Sequence, residues 1–340
     1  MRICPIISNS QVGRSNNAGT KNKSITFGTY NPVAAHKIEE ELALKGITCN
    51  AKGNDFVAEC FKKTVEVFEK LFGKSHLPSQ LNYEPLNGAY GQYGYRLNDV
   101  VLNSNHNLDC FYDMSSLQKE ASKNYNSILP SWNSTGHSAH VFVHEFSHAA
   151  HWHHLEQRNG YDNALKVWKG LAGTEVPTAI GRLITKFKLS KYAVKGNDMC
   201  EFLAERMTKD ICGGLTNYLW VPNKEIDVDY SNIFSKKWNY RYSSPQSYID
   251  YFTQQVWDGN IEEAKRTGYM VEAYLAELEA EKVSPMVQTI ANKLECTTGT
   301  TKETTSIFAK IGSALSRAMT NWNTNMTNKL DAKNKLELKL

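Results

Sequence analysis

His144-Glu145-Phe146-Ser147-His148 lies inside an apolar run, formed by Val141, Phe142, Val143, Phe146, Ala149, Ala150, Trp152 and Leu155, that contains neither Pro nor Gly. The pattern predicts a helix. Ser138, after Gly136, is the expected N-cap, and Asn159-Gly160 supplies the stop. The run is apolar nearly all round, so the helix is expected to be buried. An α-helix turns by about 100° per residue, which leaves positions i and i+4 within about 40° of each other. His144 and His148 therefore present two nitrogens to one tetrahedral ion. Glu145 stands one step round the same helix. There it reaches a water at the metal without occupying the metal, which is the geometry a general base needs. Zinc lowers the pKa of such a water toward neutrality. Buried histidines beside a buried glutamate need partners, and a metal supplies one. The neighbourhood holds further histidines, His137, His140, His151, His153 and His154, so adventitious metal uptake by a surface cluster is the plain alternative.

A catalytic zinc site has three protein ligands and an open position. His154 is one candidate for the third, because it stands at the last histidine of the pattern H-E-x-x-H-x-x-G-x-x-H. The glycine of that pattern is replaced by His151. If the helix simply continues, His154 points about 240° away from His148. The other candidate lies in Asn197-Asp198-Met199-Cys200-Glu201-Phe202-Leu203-Ala204-Glu205-Arg206-Met207, which reads as a second buried helix with Asn197 or Asp198 at its start. Glu201 and Glu205 share a face, with Phe202, Leu203 and Met207 on the rest of the surface. Two carboxylates on an apolar helix are costly unless a cation or hydrogen-bond donors meet them. The plain alternative is a solvated face, with one of them pairing Arg206 or Lys209.

The pentapeptide followed by Glu201-Phe202-Leu203-Ala204-Glu205 resembles the Glu-zincin metallopeptidases, the group of the anthrax lethal factor catalytic domain and its Pro-Pro endopeptidase relatives. The resemblance implies that Glu201 is the third zinc ligand and that Glu205 orients a ligand histidine. Such outer carboxylates fix the imidazole tautomer and raise its basicity. It also implies a tyrosine shortly before the second helix whose hydroxyl helps hold the oxyanion. The nearest match is Tyr192, in Ser190-Lys191-Tyr192-Ala193, a couple of residues further from the glutamate than in lethal factor. The implied fold is a mainly helical α+β zincin with a small twisted sheet beside the H-E-x-x-H helix and a helical C-terminal extension. The implied activity is Zn2+-dependent hydrolysis within a peptide or protein substrate, as an endopeptidase rather than an exopeptidase. Glu145 activates water and later passes its proton to the leaving amine. The resemblance covers about residues 55–215 and identifies no substrate. Two other readings stay open: a non-catalytic zincin-fold binding protein, and a metzincin-like hydrolase using His154.

The rest of the chain bounds this reading. At 340 residues it is long enough for a sizeable core and one large or two modest domains. A net charge of +4 does not argue for nucleic acid. No stretch approaches the length of a transmembrane helix, and Met1-Arg2-Ile3-Cys4-Pro5-Ile6-Ile7 is too short for a signal-peptide core. A cytoplasmic place or a signal-free export route is therefore expected. Seven cysteines without a C-x-x-C read as reduced thiols, Cys200 among them as helix packing.

Residues 1–32 read as a mobile tail, and 33–215 as the zinc peptidase domain. Within it a helix is expected from Pro32 to Leu44, stopped by Gly46. A second follows Asn54 with the stripe Phe56, Val57, Cys60, Phe61, Val65, Phe68, Leu71 and Phe72, ended by Gly73. Residues 78–104 have strand and turn composition, with Tyr83, Tyr90, Tyr93 and Tyr95. Val100 to Ser104 is the candidate edge strand for pairing with extended substrate backbone, an interior place being the alternative. Residues 105–137 read as an irregular connection, with Trp132 at a cleft rim. Residues 216–295 read as a helical extension. It opens on an aromatic stretch that suits packing (Tyr218, Trp220, Tyr230, Trp238, Tyr240 and Tyr242) and continues in helices at about Pro245–Trp257 and Ile261–Lys282. After a Thr-rich linker at 296–304, Ile307, Phe308, Ile311, Leu315, Met319 and Trp322 repeat at helical spacing. That amphipathic helix suits docking on the domain, on a partner or on a membrane surface.

Overall fold

A computed structural model describes residues 30–105, 111–123, 125, 131–186, 190–194, 198–216, 220 and 245–297. The expected tail at 1–29, most of the aromatic stretch after residue 216 and the amphipathic helix after 305 lie outside the described residues. The fold is a mainly helical α+β arrangement with one small mixed sheet, as expected. No described helix is long and apolar enough to cross a membrane.

The first helices begin and end where their sequence says. In α1 (Pro32–Leu44), Pro32 takes the first turn and the Asn31 side chain accepts from Ala34 N at 3.1 Å. In α2 (Asp55–Phe72), Asn54 accepts from Val57 N at 3.0 Å, and Gly73 ends the helix at φ +81°. That left-handed backbone favours glycine. The buried face of α2 carries Val57, Phe61, Val65 and Phe68.

Strands β1 (Thr48–Asn50), β2 (Gln80–Glu84), β3 (Gly91–Gly94) and β4 (Asp99–Asn103) form a sheet in the order β1-β2-β4-β3. The β1–β2 and β2–β4 pairs are parallel, and β3 runs antiparallel to β4. This corrects the expected edge strand. Val100 to Asn103 lies inside the sheet, paired on both sides, with Val100 and Leu102 fully buried. An apolar run with neighbours on both flanks is what an interior strand requires. The outer strands are β1 and β3. Asn103 N donates to the Tyr90 carbonyl, which fixes the phase of the ladder. Gln92 and Gly94 then turn their main-chain groups inward to β4, and Gly91 and Tyr93 turn theirs outward.

Helix α4 (His140–Asn159) runs through the middle of the core and carries the pentapeptide. It is buried on nearly every side, as its composition predicts. Phe142 and Phe146 meet Phe61 and Phe68 of α2, at ring separations of 5.8 and 5.3 Å. Trp152 meets Trp168 of α5 (Tyr161–Ala172) edge to face at 5.7 Å. Gly160 ends α4 at φ +72°. The start differs from expectation, because the cap position is Ala139 rather than Ser138. No side chain caps this start, and the His137 ring instead accepts from Ala139 N through Nδ1 at 3.0 Å. The Ser138 hydroxyl accepts instead from the Trp220 indole at 3.2 Å. Trp220 also packs on Phe142 at 5.1 Å, so this one described member of the aromatic stretch is core.

Short α3 (Met114–Lys123) precedes α4, and α6 (Thr178–Lys186) follows α5. Helix α7 (Met199–Gly213) packs along α4. Helix α8 (Pro245–Trp257) packs against α4, α6 and α7. Among the described residues, contacts group those up to Ala273 as one compact unit and those from Tyr274 as another. Helix α9 (Ile261–Thr297) extends past the expected end at Lys282. Pro285 lies within it, at the cost of one ladder donor.

Candidate metal centre

Helix α4 places His140, His144 and His148 on one stripe, one turn apart, facing α7. At the start of α7 the Asp198 carboxylate accepts from Glu201 N at 2.9 Å. This cap sets the first turn so that Glu201 and Glu205, also one turn apart, face the histidines. His140, His144, His148, Glu201 and Glu205 are each 2% exposed or less.

Three atoms converge. His144 Nε2 lies 3.1 Å from Glu201 Oε2 and 3.2 Å from His148 Nε2, and His148 Nε2 lies 3.5 Å from Glu201 Oε2. A tetrahedral zinc with ligands at 2.0–2.1 Å sets its ligand atoms about 3.3 Å apart. The triangle therefore has the size such an ion needs. Glu201 Oε1 is buried with no hydrogen-bond partner among the described residues, which leaves this carboxylate under-satisfied without a cation. Among the described residues, two groups of three His or Glu side chains can hold a metal: His144, His148 and Glu201, and His140, His144 and Glu205. Cys200 belongs to neither, and its thiol is pushed well up by burial. Cys49, Cys60, Cys200 and Cys212 are free thiols.

Glu205 plays a different part. Its Oε1 is 3.0 Å from His144 Nδ1 and 3.0 Å from His140 Nε2, and its Oε2 accepts from Ser134 N at 2.8 Å. A carboxylate at Nδ1 holds the proton there and leaves the Nε2 lone pair for the triangle.

The electrostatics follow from burial set against pairing. Burial pushes the Glu201 carboxyl up, but the imidazoles of His148 and His144 outweigh it and hold it at about 2. Burial opposes Glu205 in the same way, and His140 and His144 hold it well below the usual carboxylate range. Burial pushes the His144 ring down, yet its hydrogen bonds to Glu201 and Glu205 hold it well above the ordinary value. A dication bound by the three atoms would take the place of the proton that His144 Nε2 shares with Glu201.

Glu145 stands apart from this pairing. Burial lifts its carboxyl to about 8, with the charge of His144 pulling down, that of Glu201 pushing up and the Tyr93 main-chain N–H pulling down. It is a carboxylate poised near neutrality, which suits proton transfer. It lies against the open edge of β3. A Cβ built on Gly91 would come within 2.7 Å of Glu145 Cγ and 3.0 Å of its Oε1, so only glycine leaves room there.

Tyr192 is brought to the same place. Lys191 N donates to Ser131 O at 2.7 Å, and Tyr192 N to Trp132 O at 3.2 Å, pinning the segment before α7 to the segment before α4. The Tyr192 ring then lies 6.1 Å from the His144 ring and 5.7 Å from that of Trp132. The structure thus gathers His144, Glu145, His148, Tyr192, Glu201 and Glu205. It places His154 elsewhere. Helix α4 continues straight through it, and its ring stacks on Trp257 of α8 at 4.4 Å with Nε2 3.6 Å from Asp258.

Sequence reasoning passed over His140 and Gly91 as site residues. His140 carried a usable signal, since it stands one turn before His144. Gly91 carried none, because its closeness to Glu145 exists only after the sheet docks on α4.

No family model, no curated protein and no solved structure matches this chain. The resemblance to Glu-zincins therefore rests on the motif residues of the sequence.

Proposed function

We propose that this chain is a zinc-dependent peptidase of the Glu-zincin kind. The observation that carries the reading is the triangle of His144 Nε2, His148 Nε2 and Glu201 Oε2, with edges of 3.1, 3.2 and 3.5 Å, buried beside a carboxyl lifted to about 8. In this reading His144, His148 and Glu201 hold the metal. A bound zinc ion supplies Lewis acidity and lowers the pKa of water toward neutrality. Glu145 takes a proton from the attacking water and returns it to the leaving amine. Tyr192, beside His144, donates a hydrogen bond to the oxyanion. Glu205 fixes the tautomer and aim of His144.

An extended peptide is the substrate this arrangement favours. Gly91 turns its main-chain groups out of the edge of β3, where the Tyr93 N–H already meets the Glu145 carboxyl. A peptide laid along the edge adds a strand and brings its own carbonyls to Glu145. The likeness to lethal factor points to cleavage within a chain.

The test is Glu145→Gln, compared with wild type by zinc content and by cleavage of a diverse peptide library. The variant is expected to keep its zinc and its fold and to lose about 10²–10⁴-fold in hydrolysis. Equal cleavage by the two proteins, or a wild type without stoichiometric zinc, would sink the proposal. Stoichiometric zinc with no cleavage by wild type would favour a protein that only binds through this cleft.

A further inference from the structure

His140 lies outside the motif and outside the ligand triangle, yet it is 1% exposed and aimed at Glu205. Its Nε2 is 3.0 Å from Glu205 Oε1, the same oxygen that lies 3.0 Å from His144 Nδ1. Ser134 N holds the other oxygen at 2.8 Å. Glu205 is thus gripped by three donors from two segments, and only one of them belongs to a metal ligand. We propose that His140 is a positioning residue for the metal centre, acting through Glu205 on His144.

The physical reason lies in how a buried carboxylate keeps its aim. Glu205 reaches His144 across the α4–α7 interface, so the His144 tautomer depends on where Oε1 sits. Ser134 fixes Oε2 alone, about which the carboxylate can swing. His140 adds a second hold on Oε1, beside that of His144, and removes that freedom. Both rings must present an N–H to Oε1, since a carboxylate accepts only. His140 therefore carries its proton on Nε2. Its Nδ1 is buried with no partner among the described residues, so Nε2 is the ring atom that holds Glu205. The two N–H groups also share one oxygen, so His140 moderates the pull of Glu205 on His144.

The three-residue group His140, His144 and Glu205 satisfies the same distance test for a metal as the ligand triangle does. The Ser134 N–H on Glu205 favours a relay over a second ion. A second ion would also need His144 Nδ1 without its proton.

The inference rests on the zinc reading above, and the experiment separates the two. Zinc stoichiometry and affinity are measured by chelator competition for wild type, His140→Leu and His140→Gln. The glutamine keeps an N–H donor near the position of Nε2. His140→Leu is expected to bind zinc about 10-fold more weakly, and His140→Gln to recover most of that loss. In the Co2+-loaded proteins the visible spectrum should shift in His140→Leu and return in His140→Gln. Leucine and glutamine variants that both match wild type in affinity and spectrum would overturn the proposal. So would two zinc ions per wild-type chain with one lost in His140→Leu. Should His140→Leu fail to fold, the zinc-loaded wild type decides by nitrogen NMR of its histidines. A proton on His140 Nε2 is expected, and a proton on Nδ1 with bare Nε2 would overturn the inference. A wild type that binds no zinc would instead remove the functional reading itself.

Discussion

The two halves of α4 are equally rich in histidine and behave in opposite ways. In the first half, His140, His144 and His148 face the carboxylates of α7. In the second half, His151 and His154 both stack with the Trp257 indole of α8, with ring separations of 5.6 and 4.4 Å and interplanar angles of 19° and 24°. His151 Nε2 bonds the Val256 carbonyl at 3.1 Å. Burial drives the His151 ring down to about 3, while carboxylates hold the equally buried His144 well above its ordinary value. Helical angle alone does not separate His151 from the ligands, because it lies about 20° from His144 around the axis. What separates them is the neighbour at each height along α4: α7 with two glutamates, then α8 with a tryptophan. The first half faces carboxylates, and burial against α8 holds His151 of the second half neutral.

Variants in each half sharpen that contrast. In the first half, Glu205→Ala should weaken zinc binding by about 10–100-fold without changing the stoichiometry at saturation. Chelator competition reads this, and an unchanged affinity would separate Glu205 from the site. Gly91→Ala should lower hydrolysis by about 10-fold and leave zinc affinity alone, since the added methyl pushes on Glu145 rather than on a ligand. A loss of zinc in Gly91→Ala would mean that the edge strand supports the ligands directly.

The smallest effect belongs to the second half and appears in stability rather than activity. The folded His151 ring titrates at about 3, against 6.5 when exposed. Between those values the unfolded chain binds the extra proton, so stability falls as pH drops from 6.5 toward 3 and is fully retained above 6.5. The slope from this one group is at most about 1.4 kcal/mol per pH unit. His151→Gln keeps a donor for the Val256 carbonyl and should flatten that limb in denaturant melts, leaving zinc binding unchanged. An unaltered acid limb would show that His151 is not held neutral by its surroundings.

The same contrast marks how far the sequence could be read. Spacing alone placed His144, Glu145 and His148 on one helix, and the paired glutamates of α7 were legible because carboxylates are conspicuous among Phe202, Leu203 and Met207. Helix bounds at Asn54, Gly73 and Gly160 followed from local chemistry, which needs no tertiary contact. The place of β4 inside the sheet did not follow, since strand order is set by pairings distant in sequence. Ser138 failed as a cap because Trp220, far along the chain, claims its hydroxyl. The grip of His140 on Glu205 and the nearness of Gly91 to Glu145 are tertiary in the same sense.

The central claim is that the first half of α4, with α7, is a zinc site and the second half is not. Zinc per chain, measured by mass spectrometry on wild type, Glu201→Ala and His154→Ala after equilibration at matched free zinc, tests it most directly. One zinc in wild type, one in His154→Ala and none in Glu201→Ala is the predicted result. One zinc retained in Glu201→Ala but lost in His154→Ala would contradict it.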